Sequence, residues 1–353
     1  MTTRTLELTD LGWNAFFGSQ LDSDELAALL PGRVMAVHRG RIDVVGPTVE
    51  AQTSTFIGVP GDEETAATVG DWLLLDRKTL RPVRLLSRVN LFKRRAAGTG
   101  RRIQLIAANV DTLFIVSSCN QEFNLARLER YLALADNARA TPVVVLTKSD
   151  LTTNAEEFAR SARTVRPHLL VRTLDARNPA STASLLPWCG RGQTVAMLGS
   201  SGVGKSTLIN TLIGHEKIVT QEIRQDDDEG RHTTTGRALH RMRTGGLLLD
   251  TPGMRELQLT DVESGLANVF ADIVALAETC RFNDCRHKSE PVCAVLAAVK
   301  SGTLAAERVE RWRKLHAEEA YNTRSLAERR ARDRSFGKLI RHATKDKRSR
   351  HSE

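Results

Sequence analysis

The residues with the clearest chemical signature match the phosphate-loop pattern GxxxxGK[ST] and begin at Gly199. A strand predicted at 194–198 precedes them, and a helix predicted at 207–212 follows. Glycines let backbone N–H groups surround phosphate oxygens at a helix N-terminus. We expect Lys205 to reach the β- and γ-phosphates of a nucleotide and Ser206 to bind Mg²⁺. A glycine-rich turn with a surface lysine is the alternative. The predicted phosphate-binding residues are Gly199, Ser200, Ser201, Gly202, Val203, Gly204, Lys205, Ser206 and Thr207.

A second motif, Asp250-Thr251-Pro252-Gly253, follows the apolar run 247–249 and therefore stands at a predicted strand end. There the Asp250 carboxylate can support a Mg²⁺ shell, and Gly253 can offer its backbone N–H to a γ-phosphate. The segment 230–236, Gly-Arg-His-Thr-Thr-Thr-Gly, lies between the two motifs. A GTPase needs a threonine here whose hydroxyl completes the Mg²⁺ shell. We assign Thr234, although three consecutive threonines leave the register open.

A third motif selects the base. The run Thr147-Lys148-Ser149-Asp150 ends the predicted strand 143–146 and matches [NT]KxD. The Asp150 carboxylate can accept from the N1–H and 2-amino groups of guanine, and adenine lacks that amino group. A site built for such bonds can reject the analogue by as much as ~10⁴ to 10⁵. By itself the motif is also typical of a charged strand-end loop, but beside a phosphate loop it predicts GTP. Residues 174–177 are a candidate for a further base-contacting loop.

The order of these motifs is unusual, because the base-selecting loop comes about 50 residues before the phosphate loop. The strands can still form the usual sheet if the original termini are joined and new ends are opened elsewhere, since domain termini usually lie close together. The sequence therefore predicts a circularly permuted GTPase domain. In this order the switch motif at 250–253 leads almost directly into the C-terminal region.

The machinery for hydrolysis is incomplete in the sequence. Ras-like enzymes place a water-orienting glutamine directly after DxxG, whereas this chain has Met254. We therefore expect slow intrinsic hydrolysis that a partner accelerates. His232 could position the water, and the alternative is a solvated loop histidine. The predicted catalytic residues are His232, Lys205 and Thr234.

A fourth motif has the spacing C-x4-C-x-H-x5-C and comprises Cys280, Cys285, His287 and Cys293. Three thiolates and one imidazole form the closed tetrahedral set of a structural zinc site. A redox group or isolated thiols are the alternatives. The other two cysteines, Cys119 and Cys189, are expected to be buried small hydrophobes. An odd number of cysteines argues against a disulfide framework.

Periodicity divides the chain into three predicted domains. Residues 1–97 contain short β-rich runs separated by Gly, Pro and Asp turns, which favours an OB-like barrel of a kind that often binds nucleic acid. Residues 98–258 alternate strands and helices, including apolar runs typical of a buried parallel sheet. Residues 259–353 are predicted to be helical and to carry the zinc motif and a basic tail. The basic run 93–102 is a candidate linker.

Charge is concentrated at the C-terminus. The net charge is +9, and residues 321–353 carry 11 Lys and Arg against 4 Asp and Glu. Such a tail suits a polyanion such as nucleic acid or an anionic membrane, although a solvated terminus is the alternative. No apolar run approaches the ~18 residues of a membrane span, so we expect no membrane partner and a cytoplasmic protein. The aromatic stretch 11–17 could anchor a partner or pack on its own domain.

With these motifs in view, the chain resembles the RsgA (YjeQ) family of circularly permuted GTPases. The resemblance rests on TKSD before GSSGVGKST, on GRHTTT before DTPG, and on the cysteine–histidine cluster, and it covers nearly the whole chain. It implies an OB domain, a permuted G domain and a C-terminal zinc domain. It further implies late maturation of the small ribosomal subunit, binding to ribosomal RNA, hydrolysis stimulated by the subunit and a catalytic role for His232. A monomer is expected.

Two other functions compete with this interpretation. A nucleotide-gated RNA-binding scaffold, in which hydrolysis is incidental, is favoured slightly by Met254. An ATPase that acts on nucleic acid is opposed by Asp150, because its carboxylate suits guanine.

Overall fold

The computed structural model describes residues 5–55, 58–59, 62–95, 103–214, 237–250 and 262–323. The chain divides into two compact units, Met1–Leu257 and Gln258–Glu353. The boundary expected at 97/98 lies outside the described residues and stays a prediction.

The elements of the first unit alternate between strands and helices after about residue 110. Its strands are β1 (Leu29–His38), β2 (Arg41–Gly46), β3 (Val49–Ser54), β4 (Trp72–Asp76), β5 (Pro82–Leu85), β6 (Leu91–Arg95), β7 (Ile103–Ala108), β8 (Thr112–Ser118), β9 (Thr141–Thr147), β10 (Val171–Thr173), β11 (Thr194–Leu198), β12 (Arg237–Arg241) and β13 (Leu247–Asp250). Its α-helices are α1 (Ala15–Gly18), α2 (Ser23–Ala28), α3 (Leu125–Asn137), α4 (Ala155–Arg163), α5 (Pro179–Thr182) and α6 (Lys205–Ile213). Short 3₁₀ helices span Leu8–Leu11, Glu63–Thr65, Ser149–Leu151 and Ala183–Trp188.

The central sheet has the strand order β10-β9-β8-β11-β13-β12. Adjacent strands from β10 to β13 are parallel, and β12 runs antiparallel to β13. The phosphate-loop strand β11 thus lies between β8, which precedes it in the chain, and β13, which follows it. The sequence predicts a parallel sheet with helices for the nucleotide domain, and this is confirmed for β10 to β13, whereas the antiparallel β12 makes the sheet mixed.

Helix α3 illustrates how local sequence determines the start of a helix and the face that it buries. The side chain of Asn124 accepts a hydrogen bond from the backbone N–H of Arg127 at 3.0 Å and caps the first turn. Leu128, Tyr131 and Leu132 recur at helical spacing and are buried. On the sheet, strand β9 is a continuous apolar run that is buried on both faces.

The N-terminal strands form an antiparallel set in which β1 pairs with both β2 and β4. Strand β1 also pairs with β12, so the two groups of strands form one continuous sheet. The predicted β-rich segment is confirmed, while the OB-like barrel stays a prediction. The aromatic stretch packs on its own unit, because the ring centroids of Trp13 and Phe17 lie 4.8 and 5.9 Å from that of Trp72.

The predicted linker is wrong for its first residues. Strand β6 pairs with β7 in an antiparallel hairpin, and Lys93, whose Nζ lies 2.6 Å from Glu64 Oε1, belongs to it. The basic run has the composition of a linker, but the pairing of its backbone with β7 places it in the folded first unit. Residues 96–102 lie outside the described part of the chain.

The described part of the second unit consists of helices and the non-helical segment 279–293. Its helices are α7 (Glu263–Val269), α8 (Ala271–Glu278), α9 (Ala294–Lys300) and α10 (residues 306–323). Their buried side chains include Phe270, Ile273 and Val295. The segment between α8 and α9 contains all four predicted zinc ligands, and the last of them, Cys293, caps α9. None of the helices in the described ranges is long and apolar enough to span a membrane.

Candidate nucleotide and metal sites

The predicted nucleotide-binding segments meet at one edge of the sheet. Strands β9, β10, β11 and β13 are parallel, so the loops that follow them emerge on the same side. Ligands of open α/β sheets bind at this carboxyl edge. The structure therefore places the base-selecting loop, the loop at 174–177, the phosphate loop and Asp250 along a single edge.

The conformation of the phosphate loop requires its glycines. A Cβ on Gly199 would lie 2.2 Å from the carbonyl oxygen of Val116, so no side chain fits there. Gly202 and Gly204 have φ values of +74° and +92°, in the left-handed region that glycine tolerates best. Helix α6 begins directly after the loop, at Lys205. The loop thus presents backbone N–H groups and a helix N-terminus to an anion.

Two cations lie at this loop. The Nζ atom of Lys205 donates to the carbonyl oxygen of Gly199 at 2.8 Å and also to that of Ser200. Arg127 of α3 donates through Nη1 to the hydroxyl of Ser200. The phosphate loop is therefore positively charged before any ligand is considered, which suits an anionic ligand.

Thr147 joins the base-selecting loop to the phosphate loop. Its side chain is fully buried, and Oγ1 lies 2.5 Å from the carbonyl oxygen of Val203 and 3.1 Å from that of Ser117. This threonine therefore holds the two loops in register.

The next residues are shaped to present Asp150 at the surface. Lys148 adopts a left-handed conformation, with φ of +58°, and turns the chain into the short helix Ser149–Leu151. The carboxylate of Asp150 accepts a hydrogen bond from Nη2 of Arg177 at 2.7 Å. The backbone N–H of Ser149 donates to the carbonyl oxygen of Leu174 at 3.4 Å, so the loop at 174–177 lies beside the base-selecting loop.

Only part of the predicted magnesium site falls within the described residues. Ser206 lies half-buried in the first turn of α6, and its hydroxyl has no hydrogen-bond partner within the described ranges. The backbone of Asp250 ends β13. Residues His232, Thr234 and Gly253 lie outside the described part of the chain.

The cysteine and histidine residues of the fourth motif form a compact cluster in the second unit. Their ligand atoms all lie within 4.8 Å of one another. Cys280 Sγ is 3.8 Å from Cys293 Sγ and 3.5 Å from His287 Nδ1, which is 3.4 Å from Cys293 Sγ. A tetrahedral zinc ion with ordinary bond lengths needs about 3.8 Å between sulfurs and about 3.6 Å between sulfur and nitrogen. The described cluster therefore has the donor set and spacing for zinc.

The surroundings of Cys280 and His287 favour the protonation states that bind zinc, which are the thiolate and the neutral imidazole. Burial raises the pKa of Cys280, but hydrogen bonds from the backbone N–H groups of Ala294 and Val295 and from the side chains of Cys293 and Cys285 together outweigh it, so that the pKa lies below its ordinary value. Burial lowers the pKa of His287 and keeps the imidazole neutral, as a ligand must be. By contrast, burial raises the pKa of Cys119 to about 11 and that of Cys189 to about 12. The last two thiols are buried and inert.

Comparison with known proteins identifies the family. The model of the family "RsgA GTPase" matches residues 85–260. "Small ribosomal subunit biogenesis GTPase RsgA 2" of Vibrio parahaemolyticus is 47% identical over 343 residues, which are 97% of this chain and 94% of that protein. "Small ribosomal subunit biogenesis GTPase RsgA" of Mesorhizobium japonicum is 49% identical over 326 residues, which are 92% of this chain and 93% of that protein.

This chain belongs to the RsgA GTPase family. Solved structures agree with this RsgA-family assignment. The crystal structure of YjeQ from Thermotoga maritima has a TM-score of 0.61 and 25% identity, and the match covers 82% of this chain and 98% of that one. The structure titled "YloQ, a circularly permuted GTPase" has a TM-score of 0.58 at 24% identity, and the match covers 82% of this chain and 94% of that one. The predicted circular permutation and the GTPase class are thus confirmed for this RsgA-family chain.

Two residues near the sites of this RsgA-family chain, Arg127 and Glu290, are not predicted from the sequence. Arg127 contacts the phosphate loop from α3 and is indistinguishable in sequence from a solvated surface residue. Glu290 lies inside the zinc motif, and its position between two ligands is the one available signal. Arg177 contacts Asp150 from the candidate base-contacting loop at 174–177, although the sequence indicates no role for the arginine itself.

Glu290 closes the turn that carries His287. Its carboxylate accepts hydrogen bonds from the backbone N–H groups of Arg286, Lys288 and Ser289 at 2.9, 2.7 and 3.0 Å. Its own backbone N–H, with those of Lys288 and Arg286, lowers the pKa of Glu290 from 4.5 to about 2. The ionised carboxylate of Glu290 therefore stabilises the folded turn fully above pH 4.5, and this stabilisation is lost only as the pH falls towards 2. His287 has φ of +55°, a conformation that this turn must sustain.

Replacement of Glu290 by alanine is expected to weaken zinc binding by about 10- to 100-fold at neutral pH, in the range for residues that orient metal ligands. The reason is that the turn around His287 loses its acceptor, although all four ligands remain. Competition against a chromophoric chelator measures the effect. Glu278→Ala, at an exposed position on α8 of the same unit, is the matched control. Equal zinc affinity in both variants would contradict this role.

Proposed function

We propose that this chain hydrolyses GTP during maturation of the small ribosomal subunit, bound to that subunit and its RNA. The observation that supports this most directly is the convergence of the phosphate loop and the base-selecting loop, which the 2.5 Å contact between Thr147 and Val203 holds together. The names of the relatives supply the subunit. We further propose that the protein acts as a monomer in the cytoplasm.

In this proposal one loop binds the guanine base of GTP and another binds its phosphates. The carboxylate of Asp150 accepts hydrogen bonds from the N1–H and 2-amino groups of guanine, and the stem of Lys148 covers the purine face. Backbone N–H groups of residues 199–207 bind the phosphates, and Lys205 turns from its own loop carbonyls to the β- and γ-phosphate oxygens. Removing Lys205 from those carbonyls costs little, since phosphate oxygens are stronger acceptors than carbonyl oxygens.

Magnesium enters with the nucleotide. Ser206 and Thr234 would hold the ion, with Asp250 supporting its shell, and the ion neutralises charge on the β- and γ-phosphates. Gly253 is proposed to donate its backbone N–H to the γ-phosphate. Because Met254 cannot orient water, we propose that His232 does so after the subunit has positioned the segment that carries it. The zinc cluster acts as a structural centre without an open coordination position.

Turnover of GTP by the purified protein tests the proposal. We expect low turnover alone, a strong increase with small ribosomal subunits, and no increase with large subunits. In the stimulated reaction His232→Ala is expected to lower kcat with little change in GTP affinity. Absence of stimulation would instead favour a nucleotide-gated scaffold in which hydrolysis is incidental.

Base recognition has its own test. Asp150→Asn presents an amide N–H where guanine requires an acceptor, so we expect GDP affinity to fall by about 10²-fold. Because the asparagine variant keeps the size of the side chain, ADP affinity serves as the internal control and should not fall in parallel. Retention of the wild-type preference for guanine would show that Asp150 does not read the base.

A further inference from the structure

Arg177 is held between two carboxylates at the base-selecting end of the site. Its Nη2 atom lies 2.7 Å from Oδ2 of Asp150, and its Nε lies 3.3 Å from Oδ1 of Asp175. The backbone N–H of Arg177 donates to the same Oδ1 atom of Asp175 at 2.9 Å. Asp175 thus restrains both the backbone N–H and the Nε–H of Arg177, and the Nη2 atom of the guanidinium reaches Asp150.

The loop that carries Arg177 is itself anchored to the fold. The backbone N–H of Leu174 donates to the carbonyl oxygen of Leu146 at the end of β9, at 2.9 Å. The hydroxyl of Thr211 on α6 donates to the carbonyl oxygen of Ala176 at 2.7 Å. Asp175 receives a further restraint, because its backbone N–H donates to the hydroxyl of Ser181 at 3.0 Å. Arg177 therefore projects from a rigid base toward the base-selecting loop.

We propose that Arg177 is a positioning residue for guanine specificity, which holds the carboxylate of Asp150 in the orientation that accepts guanine. The proposal rests on the proposed role of Asp150 as the guanine ligand. An ionised carboxylate offers about four lone-pair positions, and a single N–H bond from Arg177 on Oδ2 leaves Oδ1 and a second position on Oδ2 for the base. Both oxygens can then face the N1–H and 2-amino groups together.

The physical gain is preorganisation. The side chain of Asp150 is about one-quarter exposed, and without a partner its carboxylate would rotate among several orientations. Fixing one of them before the nucleotide arrives reduces the entropy lost on binding. The side chain of Arg177 is 68% exposed, so water screens the pair and the effect is modest.

If Arg177 instead blocked the guanine site, its removal would have the opposite effect on nucleotide affinity. A guanidinium that only occupied the base site would have to leave before guanine could bind, and its removal would tighten binding. The contacts of Arg177 with Asp175 oppose this role, because they hold the arginine in its loop whatever binds to Asp150.

The experiment compares GDP with inosine diphosphate in Arg177→Ala. Inosine keeps the N1–H and the 6-oxo group but has hydrogen in place of the 2-amino group. We expect GDP affinity to fall by about 3- to 10-fold, and inosine diphosphate affinity to fall less, so that the ratio of the two decreases. The KM for GTP should rise while kcat at saturation is kept. Arg177→Lys should restore part of the ratio.

The control is Arg163→Ala, which removes an exposed ion pair with Glu156, 2.7 Å long, from α4 of the same unit. It should leave both affinities unchanged. An equal loss for the two nucleotides, or tighter GDP binding, would overturn the proposal for Arg177 while the GTPase function stands. Failure of the function itself would show separately, as an Asp150→Asn variant that keeps its guanine preference.

Discussion

Replacement of Cys293 by serine is expected to remove zinc from the second unit and to unfold it. Cys293 is 5% exposed, and its sulfur lies within 3.8 Å of both Cys280 Sγ and His287 Nδ1. A serine hydroxyl stays protonated at neutral pH and is a poor zinc ligand. Structural zinc contributes about 10–16 kcal/mol in small zinc domains, which exceeds the stability of most domains.

Two measurements test this expectation together. Metal analysis of the purified variant should fall from about one zinc ion per chain to nearly none. Limited proteolysis should then cleave within residues 262–323 while the first unit still binds GDP. The matched control is Cys189→Ala, because that thiol is buried in the first unit outside the cluster. Full zinc content in Cys293→Ser, with unchanged proteolysis, would contradict a structural zinc site.

Replacement of Arg33 by alanine is expected to destabilise the first unit by about 3–5 kcal/mol. Arg33 is 1% exposed on β1. Its guanidinium donates to the carbonyl oxygens of Leu11, of Gly70 at 3.3 Å and of Asn109 at 3.1 Å. It also lies over the ring of Trp72, 5.8 Å from the centroid. These partners belong to the N-terminal segment, the turn before β4 and the approach to β8, so one side chain joins three separate segments.

The positive charge of Arg33 adds to the stability that Arg33→Ala is expected to lose. Burial lowers the pKa of Arg33 to about 10, while the carboxylates of Asp111 and Asp71 oppose this, so the guanidinium stays protonated at neutral pH. Alanine would leave three carbonyl oxygens without their donor and would remove the cation that interacts with the carboxylate of Asp111 and with the buried carboxylate of Asp71. Lysine would keep the charge, but one ammonium cannot reach all three carbonyls, so we expect an intermediate loss.

Urea unfolding monitored by tryptophan fluorescence measures the effect on Arg33 variants. The control is Arg41→Ala, at an exposed position on β2, which should change the free energy of unfolding by less than about 0.5 kcal/mol. A loss below about 1 kcal/mol for Arg33→Ala would show that water replaces the arginine and that the junction does not depend on it.

The residue motifs could be predicted because each is local in sequence. Glycine at 202 and 204 meets a need of the loop itself, since both residues have left-handed conformations, whereas Gly199 is also required by the carbonyl oxygen of Val116 on the neighbouring strand β8. The four zinc ligands fall within 14 residues, so their chemistry and spacing define the site before folding is considered. The alternation of apolar strands and helices likewise indicated a nucleotide-binding sheet.

The sequence does not predict that the N-terminal strands and the central sheet are joined through β1 and β12. The pairing of Ala36 with Ala238 joins strands about 200 residues apart, and either strand would look the same if it lay at a sheet edge. The composition of the basic run at 93–95 is that of a solvated segment and predicts a linker, whereas its backbone forms a hairpin.

By itself the sequence determined the order of the motifs and thereby the class of a circularly permuted GTPase, and it predicts the residues that would bind phosphate, guanine and zinc. Only the tertiary structure decided that Thr147 braces the phosphate loop, that Arg33 is buried, and that Arg177 holds Asp150. The physical reason is distance along the chain. A loop that wraps a phosphate is encoded by its own few residues, but a side chain's partner across the fold depends on how strands far apart in sequence pack together.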